Sequence, residues 1–105
     1  MSEPTTPPLH VTWDANKAHT NLTKHGVSFV EASSVLLDTL AVTTFDEAHS
    51  EFEERWFTLG HSNQGRLLAV VHTYTATGPI TAKVRLISAR EATRHERQQY
   101  ENEAH

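Results

Sequence analysis

Five consecutive apolar residues, Leu67-Leu68-Ala69-Val70-Val71, constrain this chain more than any other feature. Successive side chains of an extended strand point to opposite faces, so an unbroken apolar run is apolar on both. Such a strand belongs in the middle of a sheet with both faces covered. We therefore read residues 66–74 as a central strand, and expect a helix of this chain or of a partner over its second face. The turn cluster Ser62-Asn63-Gln64-Gly65 precedes it, and Ala76-Thr77-Gly78-Pro79 follows it. Residues 55–60 predict a neighbouring strand, with Phe57 and Leu59 on one face and Trp56 and Thr58 on the other. Residues 80–87 predict the last strand, with Val84 and Leu86 opposed to Lys83 and Arg85. Residues 40–45 are rich in β-branched and aromatic side chains and make a further strand. Short turns between consecutive strands imply an antiparallel sheet.

Helical signals stand at the two ends. A short strand over residues 9–13 leads to Asp14, a good N-cap, with Trp13 and Ala18 placed as a hydrophobic staple. The helix runs to about His25, where Gly26 supplies a left-handed stop. Lys17, Asn21 and Lys24 form a stripe at i, i+4 and i+7, either solvated or facing phosphate. Ser28-x-x-Glu31 is a capping box for a second helix, and Val27 is placed to staple onto Ala32. Phe29, Ala32, Ser33, Leu36, Leu37 and Leu40 mark its buried face. Only Gly26 and Val27 separate the two helices, which implies an αα-hairpin. Ser88-x-x-Glu91 predicts the cap of a terminal helix, which Tyr100 would pack down. On that helix Arg90, Arg94 and Arg97 would fall within about 40° of one another. The expected class is α+β in the order β-α-α-β-β-β-β-α, an αα-hairpin on an antiparallel sheet with a C-terminal helix. Residues 1–8 hold three of the four prolines and read as a tail; residues 9–105 read as one domain.

Composition narrows the function. A chain of 105 residues with 37% hydrophobic content has enough for one core. No run approaches the roughly 18 apolar residues of a membrane helix, and the N-terminus lacks the basic and apolar regions of a secretory signal. The cytoplasm is the default expectation. With no cysteine, disulfides, thiolate nucleophiles and Cys-based metal sites are excluded. The net charge of −4 argues, taken globally, against a nucleic-acid binder. The charge is segregated, however. Residues 46–54 carry five acids and no Lys or Arg, whereas residues 66–97 carry six Lys and Arg against two acids. That asymmetry points to an anionic ligand on the last third, or to a solvated face.

Arg85, Arg90 and Arg94 are expected to converge at the last strand-to-helix junction. Guanidinium forks bind phosphate bidentately, and a helix N-terminus adds N–H donors. Such a set suits a phosphodiester whose transition state gathers negative charge. Glu54 and Arg55 are adjacent at a strand start, so only one of them can face a given site. Glu54 is a candidate base for a ribose 2′-hydroxyl or an edge-strand charge. His25, beside Lys24 at a helix end, is a candidate acid or base or a C-terminal cap. His19 and His25 lie about 240° apart on their helix and share no ligand face, so we expect no metal and no cofactor. Trp56 could stack a base or anchor a protein.

Several segments resemble one family. They are Trp-Asp-Ala-Asn-Lys (13–17), Asn-Leu-Thr-Lys-His-Gly-Val-Ser-Phe (21–29) with Glu-Ala (31–32), Glu-Glu-Arg-Trp (53–56), Arg-Leu-Leu-Ala-Val-Val-His-Thr (66–73) and the run from Arg85 to Tyr100. Together these are similar to the BrnT toxins and span roughly residues 9–101. The resemblance implies a RelE-like fold and a ribonuclease toxin of a type II toxin–antitoxin module. It implies a BrnA-type antitoxin as partner, an RNA substrate, contact with operator DNA only through the antitoxin complex, and no metal or membrane. Matching segments carry over His25, Glu54, Arg55, Arg85, Arg90 and Arg94 as catalytic candidates. Lys17, Lys24, Trp56 and Arg97 are the expected RNA contacts. The chain departs from the family in its negative charge and in residues 79–83, which lengthen the last hairpin. The implied reaction is metal-independent cleavage by 2′-hydroxyl attack, inhibiting translation. The alternative is an inactive homologue kept as an antitoxin-binding, operon-regulatory module; a weaker one is a phosphate-binding scaffold.

Overall fold

The computed structural model describes residues 9–103; the tail assigned to residues 1–8 lies outside them. Six strands form one sheet: β1 (Leu9–Trp13), β2 (Val42–Phe45), β3 (Trp56–His61), β4 (Leu67–His72), β5 (Thr75–Ala76) and β6 (Ala82–Glu91). Their spatial order is β1-β6-β4-β3-β2, with β5 paired to β6. The two-sided apolar strand therefore sits in the middle. Leu68 and Val70 face one side, packed with Val84, Leu86 and Ala89 of β6. Helices α1 (Ala15–His25) and α2 (Phe29–Ser34) cover that side, with Val27, Phe29, Ala32 and Val35 in the shared core. Leu67 and Ala69 face the other side, packed with Leu59 and with Tyr100 of helix α3 (Arg94–Glu103). The chain thus covers both faces of its central strand itself. Each Leu or Val so buried contributes about 1.5–3 kcal/mol.

The sheet is mixed rather than antiparallel. β1 runs parallel to β6, in the register Val11↔Val84, while the remaining pairs are antiparallel. Helices and four strands separate β1 from β6 in the chain, and a connection of that length allows parallel pairing. The short β5 was also not anticipated.

Local signals placed the first two helices well. Asp14 Oδ2 accepts from the Lys17 N–H at 3.0 Å, and Gly26 closes α1 at φ 70°. Ser28 Oγ accepts from the Glu31 N–H at 3.0 Å. Only that half of the expected capping box forms, because the Glu31 carboxylate turns inward. It accepts from Ser62 Oγ at 2.7 Å and from Arg66 Nε at 2.9 Å. The Arg66 guanidinium holds this buried carboxyl below its usual range, against the opposing effect of burial. The α-helix ends at Ser34 and a 3-10 turn follows at Val35–Leu37. The tighter winding turns Val35 inward and leaves Leu37 and Leu40 exposed, against their expected burial.

The C-terminal helix starts later than its sequence predicts. Ser88 does not cap it; β6 continues through Ser88 to Glu91. The helix starts at Arg94 behind a complete capping box, with Glu96 N–H donating to Thr93 Oγ (3.1 Å) and Thr93 N–H to Glu96 Oε1 (2.9 Å). The reason is pairing: β6 stays in register with buried β4 as far as Leu68↔Glu91. Starting the helix at Ser88 would strip partners from that strand, at about 1–3 kcal/mol for each buried group left unpaired. One cap is worth about 1 kcal/mol. Arg90 consequently lies on a strand and shares no helical face with Arg94 and Arg97. Tyr100 seats α3 on the sheet, its hydroxyl donating to Asp38 Oδ2 at 2.7 Å. Burial, reinforced by that carboxylate, pushes the phenol up to about 12.

Candidate active site

A β-bulge builds the site. Val71 pairs with Ser88 but His72 pairs with Leu86, so Ile87 is an extra residue in β6. Strict alternation would put Arg85 and Arg90, an odd number of positions apart, on opposite faces. One extra residue reverses the phase. Val84 and Leu86 before the bulge and Ala89 after it all point into the core under α1 and α2. Arg85 before it, and Ser88 and Arg90 after it, therefore share the α3 face.

Asn21 of α1 fixes the strand just past the bulge. β1 pairs with β6 only as far as Leu86. Beyond that point the Asn21 amide takes the place of a strand, donating to Ala89 O at 2.8 Å and accepting from Ala89 N–H at 3.0 Å. The middle residue of the Lys17-Asn21-Lys24 stripe is thus buried and structural, with the two lysines exposed on either side of it.

Two concavities meet at Ile87 and Ser88. One, of about 500 Å³, is lined on the α3 face by Arg55, Arg90, Ser88, Asp46 and His49, with Phe57 among its apolar walls. The other, of about 350 Å³, lies along α1 and is lined by Lys17, Lys24, His25 and Asn21. They share Ile87 and Ser88 as walls; taken together as one groove over the bulge, they carry Arg55 and Arg90 beside Asp46 in one half and Lys17 and Lys24 in the other.

The groove gathers some of the residues singled out from sequence and excludes others. Arg55 projects into it, in phase with Phe57, whereas Glu54 is exposed and outside it. Trp56, in phase with Glu54, lies on the opposite face of the sheet, edge-on to Phe45 and beside His72 and Tyr74. It therefore does not share the groove with the arginines. Arg85 lies on the groove's face but pairs with Glu53 at 2.6 Å. Arg94 and Arg97 are exposed on α3 and do not line the groove. The expected convergence of Arg85, Arg90 and Arg94 is not observed, because Arg90 stands on the strand rather than the helix.

Arg90 donates to both carboxylate oxygens of Glu96, at 2.8 and 2.9 Å. This pair, helped by the Thr93 N–H and opposed by burial, holds the Glu96 carboxyl down at about 2. The same carboxylate raises the Arg90 guanidinium. Arg55 differs from both other arginines: its guanidinium meets no acceptor among the described residues, and its Nε is buried without a hydrogen-bond partner. His49, Asp46 and Ser88 were not singled out as site residues from sequence. The spacing Asp46-x-x-His49 carried the signal, since residues three apart meet on one turn of a 3-10 helix. Among the described residues no group of three or more His, Asp or Glu converges as a metal-ligand set. Among them also, no helix is long and apolar enough to cross a membrane.

The fold and groove define a small α+β domain with two hollows, each containing basic side chains, that share the bulge of β6. The chain belongs to the family of BrnT ribonuclease toxins of type II toxin–antitoxin systems, whose model matches residues 13–96. Membership implies an antitoxin partner. The fold is similar to the crystal structure of the Brucella abortus ribonuclease toxin BrnT, with a TM-score of 0.57 and 26% identity over 80% of this chain and 96% of that one. A comparison with curated proteins finds no match.

Proposed function

We propose that the groove holds the backbone of single-stranded RNA, and that the chain cleaves it by attack of a ribose 2′-hydroxyl on the adjacent phosphate without a metal ion. The unpaired guanidinium of Arg55 carries this reading. The guanidinium lines the concavity and forms no ion pair among the described residues, so a phosphate entering there meets a cation that no carboxylate has already engaged. Arg90 stands in the same concavity with its fork held by Glu96, and becomes a second phosphate ligand where the phosphate displaces that carboxylate. Both add to the stabilisation of charge that grows on the non-bridging oxygens in the transition state. Lys17, Lys24 and His25 line the other half of the groove, where the next nucleotides of the strand would run. The products are a 2′,3′-cyclic phosphate, or its 3′-phosphate, and a 5′-hydroxyl. Cleavage of cellular RNA inhibits translation in the cytoplasm. A BrnA-type antitoxin neutralises the toxin, and the complex reaches operator DNA through the antitoxin. The domain spans residues 9–105.

The test uses antitoxin-free protein, 5′-labelled RNA and excess EDTA, with and without translating ribosomes. Cleavage by wild type and its loss in Arg55→Ala, with the fold intact by circular dichroism, supports the reading. Equal cleavage by both proteins overturns the role of Arg55. A second reading draws on the pairing of Arg85 with Glu53 and of Arg90 with Glu96, which occupies two guanidiniums. In that reading the chain is an inactive antitoxin-binding module. A folded protein that binds antitoxin but cleaves no RNA, even on ribosomes, decides for it.

A further inference from the structure

The large concavity contains a second pair of groups besides the arginines. His49 closes a 3-10 turn (Glu47–His49) in the acidic loop between β2 and β3. Its Nδ1 lies 3.1 Å from both carboxylate oxygens of Asp46. Asp46 is itself anchored: its N–H donates to Arg55 O at 2.8 Å, and its carbonyl accepts from Ser50 Oγ at 2.6 Å. The dyad is therefore locked to the strand start that carries Arg55. Histidine and both arginines line one cavity. The Asp46 side chain is largely covered, whereas the imidazole is 69% exposed to the groove and solvent.

We infer that His49 is the general base of the RNA-cleavage reaction and Asp46 its positioning residue, an inference that rests on the nuclease reading above. The carboxylate selects the tautomer. With the proton on Nδ1 donated to Asp46, Nε2 carries the lone pair of neutral imidazole, and it has no hydrogen-bond partner among the described residues. Nε2 takes the proton of the 2′-hydroxyl. The O2′–P bond forms and the P–O5′ bond breaks. The leaving O5′ takes a proton from water, and the hydroxide so formed removes the proton from imidazolium. Nothing is oxidised or reduced. Asp46 stabilises the imidazolium while it exists and keeps the ring from rotating away, the logic of an oriented histidine base. Arg55 holds the phosphate meanwhile, and Arg90 joins it where the phosphate displaces Glu96. Glu51 and Glu53 line a neighbouring hollow of about 480 Å³ that His49 and Arg55 also border, and keep that edge of the loop acidic. His25, in the other half of the groove, is the rival proton carrier.

The deciding experiment measures single-turnover cleavage of a short labelled RNA by wild type, His49→Ala, His49→Gln, Asp46→Asn and Arg55→Ala. We expect His49→Ala and His49→Gln to lose about 100-fold or more of the cleavage rate, in line with general acid–base catalysis. RNA affinity and antitoxin binding should stay at wild-type level, and Asp46→Asn should lose roughly tenfold in rate alone. Added imidazole should restore part of the rate of His49→Ala and none of that of Arg55→Ala, a rescue that a structural role would not produce. Cleavage by His49→Ala within about threefold of wild type, with Arg55→Ala inactive, overturns the dyad and leaves the nuclease reading standing. Wild type inactive on free RNA and on ribosomes overturns both.

Discussion

Replacing Asn21 by Ala tests the joint between α1 and the bulged strand. Asn21 is 5% exposed and is the buried residue of α1. Its amide donates to Val27 O (3.0 Å) and Ala89 O (2.8 Å), and its carbonyl accepts from Ala89 N–H (3.0 Å). Alanine leaves three backbone groups without these partners. Each buried orphan costs about 1–3 kcal/mol, and water entering from the groove recovers part of it. We therefore expect a loss of about 3 kcal/mol in urea unfolding, out of the roughly 5–15 kcal/mol that hold such a domain. At about 4–8 °C per kcal/mol for a domain of this size, Tm should fall by roughly 12–24 °C. The variant Asn21→Asp separates hydrogen bonding from volume. It keeps the acceptor for Ala89 N–H but turns a carboxylate toward two carbonyls. The fold then disfavours the ionised form, so the variant's carboxyl titrates higher folded than unfolded. Its stability relative to wild type should be best below about pH 4 and fall as pH rises. A loss under about 1 kcal/mol for Asn21→Ala, or a pH-independent deficit for Asn21→Asp, would refute the claim that this amide substitutes for a strand.

Other consequences are simpler to check. Gly60→Ala would place a Cβ 2.8 Å from Val35 Cγ1 and 3.2 Å from Ala41 Cβ; we expect a loss of about 1–3 kcal/mol in denaturant unfolding, as for an overpacked core. Thr93→Ala removes the hydroxyl that caps α3 and should cost about 1 kcal/mol with loss of helical circular dichroism, while Ser88→Ala should leave the helical signal unchanged. The Glu96 carboxyl sits at about 2 because Arg90 pairs with it. Its folded value lies below the unfolded one, so its contribution is present above the unfolded value, about pH 4.3, and is lost as pH falls toward 2. The stability advantage of wild type over Glu96→Gln should therefore be full near pH 6 and vanish near pH 2 in parallel unfolding curves.

Much of the architecture was legible because its causes are short-range. Asp14 and Gly26 bracket α1, Ser28 opens α2, and the apolar run 67–71 becomes the middle of the sheet. Caps, left-handed stops and two-residue alternation act within a turn or a pleat, so a stretch of sequence contains everything they need. The family resemblance was legible for the same reason, and Arg55, Arg90, Lys17, Lys24 and His25 all line the groove. Yet the expected reason for grouping Arg90 with Arg85 was a helix, and the actual one is a bulge. Ser88-x-x-Glu91 has the local form of a cap, and local form alone could not show that β4 needed those residues as a partner strand. Similarly, Glu31 has the form of a capping-box acid and is taken instead by Arg66, 35 positions away.

Short-range signals settle which segments are helix and which are strand through most of the chain, where the central strand lies, and that cations concentrate toward the C-terminal third. Tertiary structure decided which cations meet. The extra residue at Ile87 reverses the phase of β6, and the parallel edge strand β1 ends opposite Leu86, beyond which Asn21 takes over at Ala89. Both depend on pairing between residues far apart in the chain. Its free energy is gained only when the whole sheet forms, and so no local window records it.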